Sequence, residues 1–366
     1  MKASLFCTTR YDGPASHTEW PAPTDTYLRE WGELSMRKTL EQFRLGDELG
    51  FDWVTVAEHH FAPFSMTPNP MVMAAALVGV VKRAKIAVLG PDIPILDPVR
   101  VAEELAMIDA MTEGRVIAGL MRGSANEYVT YNVNPAESRE RFDEAFQLIR
   151  MAWTETQPFG WQGRFYEYRS ISCWPKPSQL PHPPIYMSTA SPEAGEFAAR
   201  HRVGAGFAFT TLQIASNAAK HYREQCRING WEPTPDQIIY RLAMHVADTD
   251  EQALEEMQSA GGGLPSLGLS FRNKAVEQAA AASGYYGRDI DTQRARLQSR
   301  GAVLERIEKG QIIVGSPETA LKQIKRIRDE LGCGVLDLAV ASQLGDKTTK
   351  AIELFGTKVL PRMHEL

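Results

Sequence analysis

Short runs of β-branched and aliphatic residues alternate along the chain with longer segments whose apolar positions recur every three or four residues. The short runs read as strands at Lys2–Cys7, Trp53–Ala57, Lys85–Leu89, Arg115–Leu120, Ile185–Ser188, Val203–Phe209, Ile238–Val246 and Val335–Val340. The longer segments carry the helical period, as in Met36, Leu40 and Phe43 with Leu49 beyond, or Leu321, Ile324, Ile327 and Leu331. Four helix starts show a capping residue followed by proline: Asn69-Pro70, Asp97-Pro98, Ser191-Pro192 and Ser316-Pro317. Eight strands, most followed by a helix, predict an α/β chain folded as a (β/α)8 TIM barrel rather than an open doubly wound sheet. The G-x-G-x-x-G fingerprint expected of a doubly wound enzyme does not occur, and neither does a Walker A motif.

Two stretches interrupt the repeat. Trp161 to Tyr166 is hairpin-like and aromatic, and the proline-rich run from Pro175 to Pro184 reads as an extended connector into the strand at Ile185. The stretch from about 250 to 310, with Gly261-Gly262-Gly263 and Ser283-Gly284-Tyr285-Tyr286-Gly287, reads as a lid over the barrel mouth. A third anomaly is the helix Pro70–Val81, which has no polar face. An outer helix of a barrel needs one wet side, so a homodimer interface is the natural reading, with burial under the chain's own loops as the alternative.

Composition agrees with one large domain. The 366 residues lie within the ~200 to 400 used by such barrels. With 43% hydrophobic and 23% charged residues, disorder, collagen and coiled coil are excluded for the whole. Forty basic against 45 acidic residues give a net charge of −5 with no long basic block, which argues against nucleic acid or an anionic membrane. The longest strongly apolar run has 12 residues against the ~20 needed to span a bilayer, and the N-terminus reads as a strand instead of a signal peptide. The four cysteines form no C-x-x-C pair, so no thiolate metal site or disulfide framework is expected. A cytoplasmic enzyme is the expectation.

In a barrel, catalytic groups come from the C-terminal ends of the strands. The second strand ends in Ala57-Glu58-His59-His60-Phe61, where a catalytic imidazole, a metal site and a structural polar pair are all conceivable. Adjacent side chains of an extended chain point to opposite sides, which argues against one metal held by both histidines. Histidine suits proton transfer because its pKa lies near neutrality. The fourth strand ends in Met121-Arg122-Gly123-Ser124, suited to a phosphate or to a pairing with a neighbouring helix. The fifth ends in Ser188-Thr189-Ala190-Ser191, an anion site at a helix N-terminus or a simple cap. Together Arg122 and Ser191 suggest a phosphorylated cofactor. His201, His221 and His245 sit within helix or strand patterns and read as structural, and Phe61, Phe64 and the aromatic connector suggest an apolar organic substrate.

The motif at 57–61, Lys85-Ile86-Ala87-Val88-Leu89-Gly90 with Asp97-Pro98-Val99-Arg100, and Asp109 to Gly123 resemble the bacterial luciferase-like flavin monooxygenase family. The connector prolines and the late Val314-Gly315-Ser316-Pro317-Glu318 are similar to it as well. The resemblance implies a single barrel over residues 1–366, with a connector insertion at about 158–184 and a lid-like insertion at about 250–310. It implies a two-component monooxygenase in which reduced FMN (FMNH2), supplied by a separate NAD(P)H flavin reductase, reacts with O2 to a C4a-peroxyflavin. The product would be an oxidised hydrophobic aldehyde, ketone or alkene. By the same resemblance Arg122 and Ser191 would hold the flavin phosphate, His59 would be the imidazole at the reacting edge and Glu58 would support it. Leu89-Gly90 matches the position of a non-prolyl cis peptide beside the flavin ring. Met121 stands where bioluminescent members have a reactive cysteine, and Tyr128, next to Glu127, where an acidic residue is expected; both weaken a claim of light emission. An F420-dependent oxidoreductase and a non-catalytic flavin-binding protein remain as alternatives.

Overall fold

The computed structural model describes residues 1–14, 20–260, 273–283 and 303–366. The chain forms strands β1 (Lys2–Phe6), β2 (Trp53–Val56), β3 (Lys85–Asp92), β4 (Val116–Met121), β5 (Phe159–Gln162), β6 (Glu167–Ile171), β7 (Ile185–Ser188), β8 (Gly204–Ala208), β9 (Ile238–Val246), β10 (Ile312–Gly315) and β11 (Val335–Val340). Eight of them pair in parallel around a closed barrel in the order β1-β2-β3-β4-β7-β8-β9-β11, with β11 returning to β1. These are the eight strands read from the sequence. The seam between β1 and β11 keeps one register from Lys2 opposite Val335 to Phe6 opposite Ala339.

The additional strands are excursions from the barrel. β10 pairs only with the C-terminal half of the long β9. Strands β5 and β6 form a separate antiparallel hairpin, as the aromatic pattern at 161–166 suggests. This hairpin lies against helix α5 (Ser138–Thr154), where Glu144 accepts hydrogen bonds from Trp161 Nε1 and from the backbone N–H groups of Arg164, Phe165 and Tyr166. Its aromatic residues therefore pack on a helix and line neither cavity described below, which corrects their reading as substrate contacts. The connector is tied under the barrel by Asp109, which accepts from the backbone and side-chain N–H groups of Gln179.

All four predicted caps form. Asn69 accepts from Met71 and Val72 at the start of helix α2 (Pro70–Val80), and Asp97 accepts from Arg100 at the start of α3 (Pro98–Met111). Ser191 does the same for α6 (Pro192–His201), and Ser316 for the helix Pro317–Leu331. Inside the barrel Trp53, Ala87, Leu89, Ile117, Tyr186, Ile239 and Val335 pack into a layer that plugs it. The plug is the floor on which the mouth is built.

Within the region expected to be a lid, α8 (Asp250–Ser259), α9 (Lys274–Ala282) and the helix Val303–Glu308 are ordered elements. The glycine runs at 261–263 and 284–287 lie outside the described residues. Helix α9 packs Val276, Ala279 and Ala280 against Trp20 and against Ala125 of α4 (Ala125–Thr130), close to the barrel mouth.

Candidate active site

At the end of β2 successive side chains alternate in direction. Glu58 and His60 face one way and are buried, with Nε2 of His60 3.0 Å from Oε1 of Glu58. His59 faces the other way. Its Nδ1 lies 3.6 Å from Oε1 of Glu127 on α4, and its ring packs on Phe64 with centroids 5.2 Å apart. The second Glu58 oxygen accepts the backbone N–H of Asp92 at 3.3 Å. This contact depends on Gly90, because a Cβ there would sit 2.5 Å from the Glu58 nitrogen. Gly123, at φ +82, presents a Cβ-free face to Asp92 in the same way.

Three buried carboxyls thus meet two imidazoles, and their surroundings push them apart in acidity. Burial raises Asp92 well above the usual carboxylate range, and the charges of Glu58 and Glu127 push it the same way. Burial also raises Glu58, against the opposing pull of His60. For Glu127 burial is outweighed by the hydrogen bonds and charge of His59 and by the Ser124 hydroxyl, so it lies below its ordinary value. A carboxyl pushed up in pKa beside one pushed down is the arrangement of acid–base sites.

These groups surround a slot of about 210 Å³ at the C-terminal mouth of the barrel. Arg122 and the hydroxyls of Ser124 and Ser188 line it from β4 and β7. Leu89, Gly90, Tyr186, Phe207 and Ile239 give it apolar walls over the plug. Arg241 and Asp337 line it from β9 and β11, joined at 2.6 Å, with the guanidinium carbon 4.0 Å above the centre of the Phe6 ring. Sequence reasoning missed this pair and Asp92. The available signal was a formal charge at a single position within each of two largely apolar strands, Ile238–Val246 and Val335–Val340.

The other expected site residues separate. Ser191 caps α6 by accepting from Ala194 N–H at 3.3 Å, and Ser188 is the hydroxyl of that loop that lines the slot. Arg122 and the start of α6 share one electrostatic neighbourhood: the Glu193 carboxyl is lowered by its own backbone N–H, by Ser191, and by the charges of Arg139 and Arg122. The Leu89–Gly90 bond is trans, since the cis bonds among the described residues all precede proline. The strand instead continues to Asp92 through an irregularity in its pairing with β4 between Leu89 and Asp92. His201 packs on Phe197 and His245 is buried 2.7 Å from Glu256, both structural, as is His221 near Glu196.

The donor set fits a phosphorylated planar cofactor. A guanidinium and hydroxyls at one end suit a phosphate, and apolar walls beside glycines suit a ring. The slot alone is below the ~300 Å³ of typical ligand pockets. His59 joins it to a second cavity of about 680 Å³ between the loops that follow β1 and β2.

Residues 1–333 match the family described as luciferase-like monooxygenase. The chain belongs to this family. One relative is the oxygenase component of a flavin-dependent trigonelline monooxygenase from Acinetobacter baylyi, 25% identical over 260 residues, 69% of this chain and 67% of that one. Some other curated relatives match over shorter stretches, and the chain spans about half the length of those. Among solved structures, the oxygenating constituent of 3,6-diketocamphane monooxygenase from Pseudomonas putida, in complex with FMN, superposes with a TM-score of 0.74 at 17% identity. That alignment covers 99% of this chain and 98% of the other. An F420-dependent secondary alcohol dehydrogenase superposes with a TM-score of 0.72 at 18% identity over 99% and 98% of the two chains. At these identities the structural likeness shows the fold, and the luciferase-like barrel is shared by FMN and F420 proteins. Among the described residues no helix is long and apolar enough to cross a membrane.

Proposed function

We propose that this luciferase-like chain is the oxygenase component of a two-component monooxygenase, using reduced FMN and O2 to oxidise a hydrophobic aldehyde, ketone or alkene. The observation that carries this reading is the position of His59, an imidazole shared by the polar-ended slot and the larger apolar cavity. Reduced FMN, when bound, supplies the two electrons that activate oxygen. Arg122 and Ser188, next to the helix end capped by Ser191, would hold its phosphate. Leu89 and Gly90 would wall the space for its ring. His59 moves a proton, with Glu127 as the carboxylate that orients the imidazole. Glu58 fixes His60, and Trp20, whose Nε1 donates to the His60 carbonyl at 2.9 Å, joins α9 in shielding the mouth from water.

The electrons come from a separate NAD(P)H flavin reductase, in keeping with the trigonelline relative being an oxygenase component. The protein works as a homodimer through α2. On that helix Val72, Ala75, Ala76 and Gly79 are exposed at helical spacing, and the neighbouring α3 exposes Met107 and Met111.

Anaerobic titration separates the cofactors. FMNH2 should bind in the low micromolar range or tighter, and reduced F420 at least about tenfold more weakly, a difference of roughly 1.4 kcal/mol. Tighter binding of F420 would replace the monooxygenase reading by the F420-dependent oxidoreductase.

A further inference from the structure

The 680 Å³ cavity is a built site. Its two walls are the loops after β1 and β2, and backbone hydrogen bonds zip them together: Tyr11 N–H to the Pro63 carbonyl at 2.7 Å, Met66 to Thr9 at 2.6 Å and Ala22 to Phe61 at 2.9 Å. Prolines 21, 23, 63 and 68 stiffen the same walls. Tyr11 and Tyr27 stack with centroids 5.3 Å apart on one side. On the other stands Phe61, 54% exposed and held at φ +56, a conformation that a bulky residue rarely adopts. A strained backbone that presents an aromatic ring to a cavity is a candidate functional feature.

The described lining is also uncharged. Among the described residues around the cavity there is no Asp, Glu, Lys or Arg. Its polar atoms are largely engaged: the Tyr11 hydroxyl donates to the Thr26 carbonyl and accepts from Leu28 N–H, and His60 is held by Glu58. A charged ligand would lose its hydration here without a counter-charge, whereas a neutral ring meets tyrosine and phenylalanine faces.

We propose that this cavity is the organic-substrate site, that it selects uncharged ring-bearing molecules, and that Phe61 is its specificity-determining residue. The inference rests on the reading that the slot beyond His59 holds the flavin, because that places the reacting atoms at the wall the two cavities share. Met36, on α1 (Arg29–Leu49), forms part of the floor and is itself partly exposed, so a charge placed there leaves the core intact.

The test uses the FMN-saturated full chain and N-phenyl-1-naphthylamine, a neutral fluorescent ring compound. One probe should bind per chain and be displaced by limonene, a neutral ring, but not by trigonelline, a charged one. Met36→Glu should weaken the probe at least tenfold. Phe61→Gly, which accepts the left-handed backbone without strain, should also weaken it at least tenfold, and FMN affinity should stay within twofold in both. Probe affinity unchanged within twofold in both variants, or trigonelline competing as well as limonene, would overturn the proposal. Loss of FMN binding from the unmodified chain, with probe binding still sensitive to both substitutions, would overturn the flavin reading alone and leave the neutral-ring site standing.

Discussion

His59 Nδ1 lies 3.6 Å from Oε1 of Glu127, which joins the end of a barrel strand to the first turn of a short helix. The imidazole is 29% exposed and the carboxylate nearly buried, so the ring meets ligands while its partner stays fixed. A carboxylate held behind an imidazole in this way fixes the orientation of the ring.

His59→Ala should therefore abolish product formation, with a loss on the order of 10²–10⁴-fold, and leave FMN affinity within a factor of about three. Glu127→Gln should lower kcat by a smaller factor, since the imidazole loses the carboxylate that orients it. Steady-state turnover checks both, and unchanged turnover in His59→Ala removes its assigned role.

Arg122 is assigned to the phosphate. Arg122→Ala should weaken FMN about tenfold to a hundredfold, equivalent to ~1.5–3 kcal/mol for a hydrogen bond to a charged group. Riboflavin, which has no phosphate, should bind the variant and the unmodified chain alike. Equilibrium titration by flavin fluorescence decides it.

Asp92 has a folded pKa raised by burial and by the charges of Glu58 and Glu127. It binds its proton more tightly folded than unfolded, so its contribution to stability is whole below the unfolded carboxyl value of ~3.9 and declines as pH rises through the raised folded value. Asp92→Asn removes that decline. Thermal unfolding should show the variant matching the unmodified protein near pH 4 and exceeding it near pH 8. A variant less stable at pH 8 than the unmodified protein contradicts the assignment.

The exposed face of α2 predicts a dimer. Light scattering at micromolar concentration should give about twice the 40.7 kDa chain mass. Ala75→Glu, at an exposed position, should halve it without unfolding the chain. A mass near 40.7 kDa for the unmodified protein contradicts the interface.

The barrel was legible in the sequence because each strand is a short buried run bounded by capped helices. The asparagine, aspartate and serine caps before Pro70, Pro98, Pro192 and Pro317 mark those boundaries by local chemistry alone. The site was legible where a strand ends, at Glu58, His59 and Arg122. It was not legible where long-range packing assembles it. Asp92 reaches Glu58 only because Gly90 lets β3 close on β2, and Arg241 finds Asp337 only when β9 and β11 become neighbours. Met36 shows the opposite failure: its helical spacing matches the core residue Phe43, yet it turns outward to line the second cavity.

The most direct test mixes the anaerobic protein–FMNH2 complex rapidly with oxygenated buffer and follows the return of oxidised-flavin absorbance. A return much slower than for free FMNH2 is expected, accelerated by a neutral ring-bearing aldehyde, ketone or alkene, with oxygen from O2 in the product. Return as fast as for free FMNH2, with stoichiometric hydrogen peroxide whatever compound is added, would contradict it.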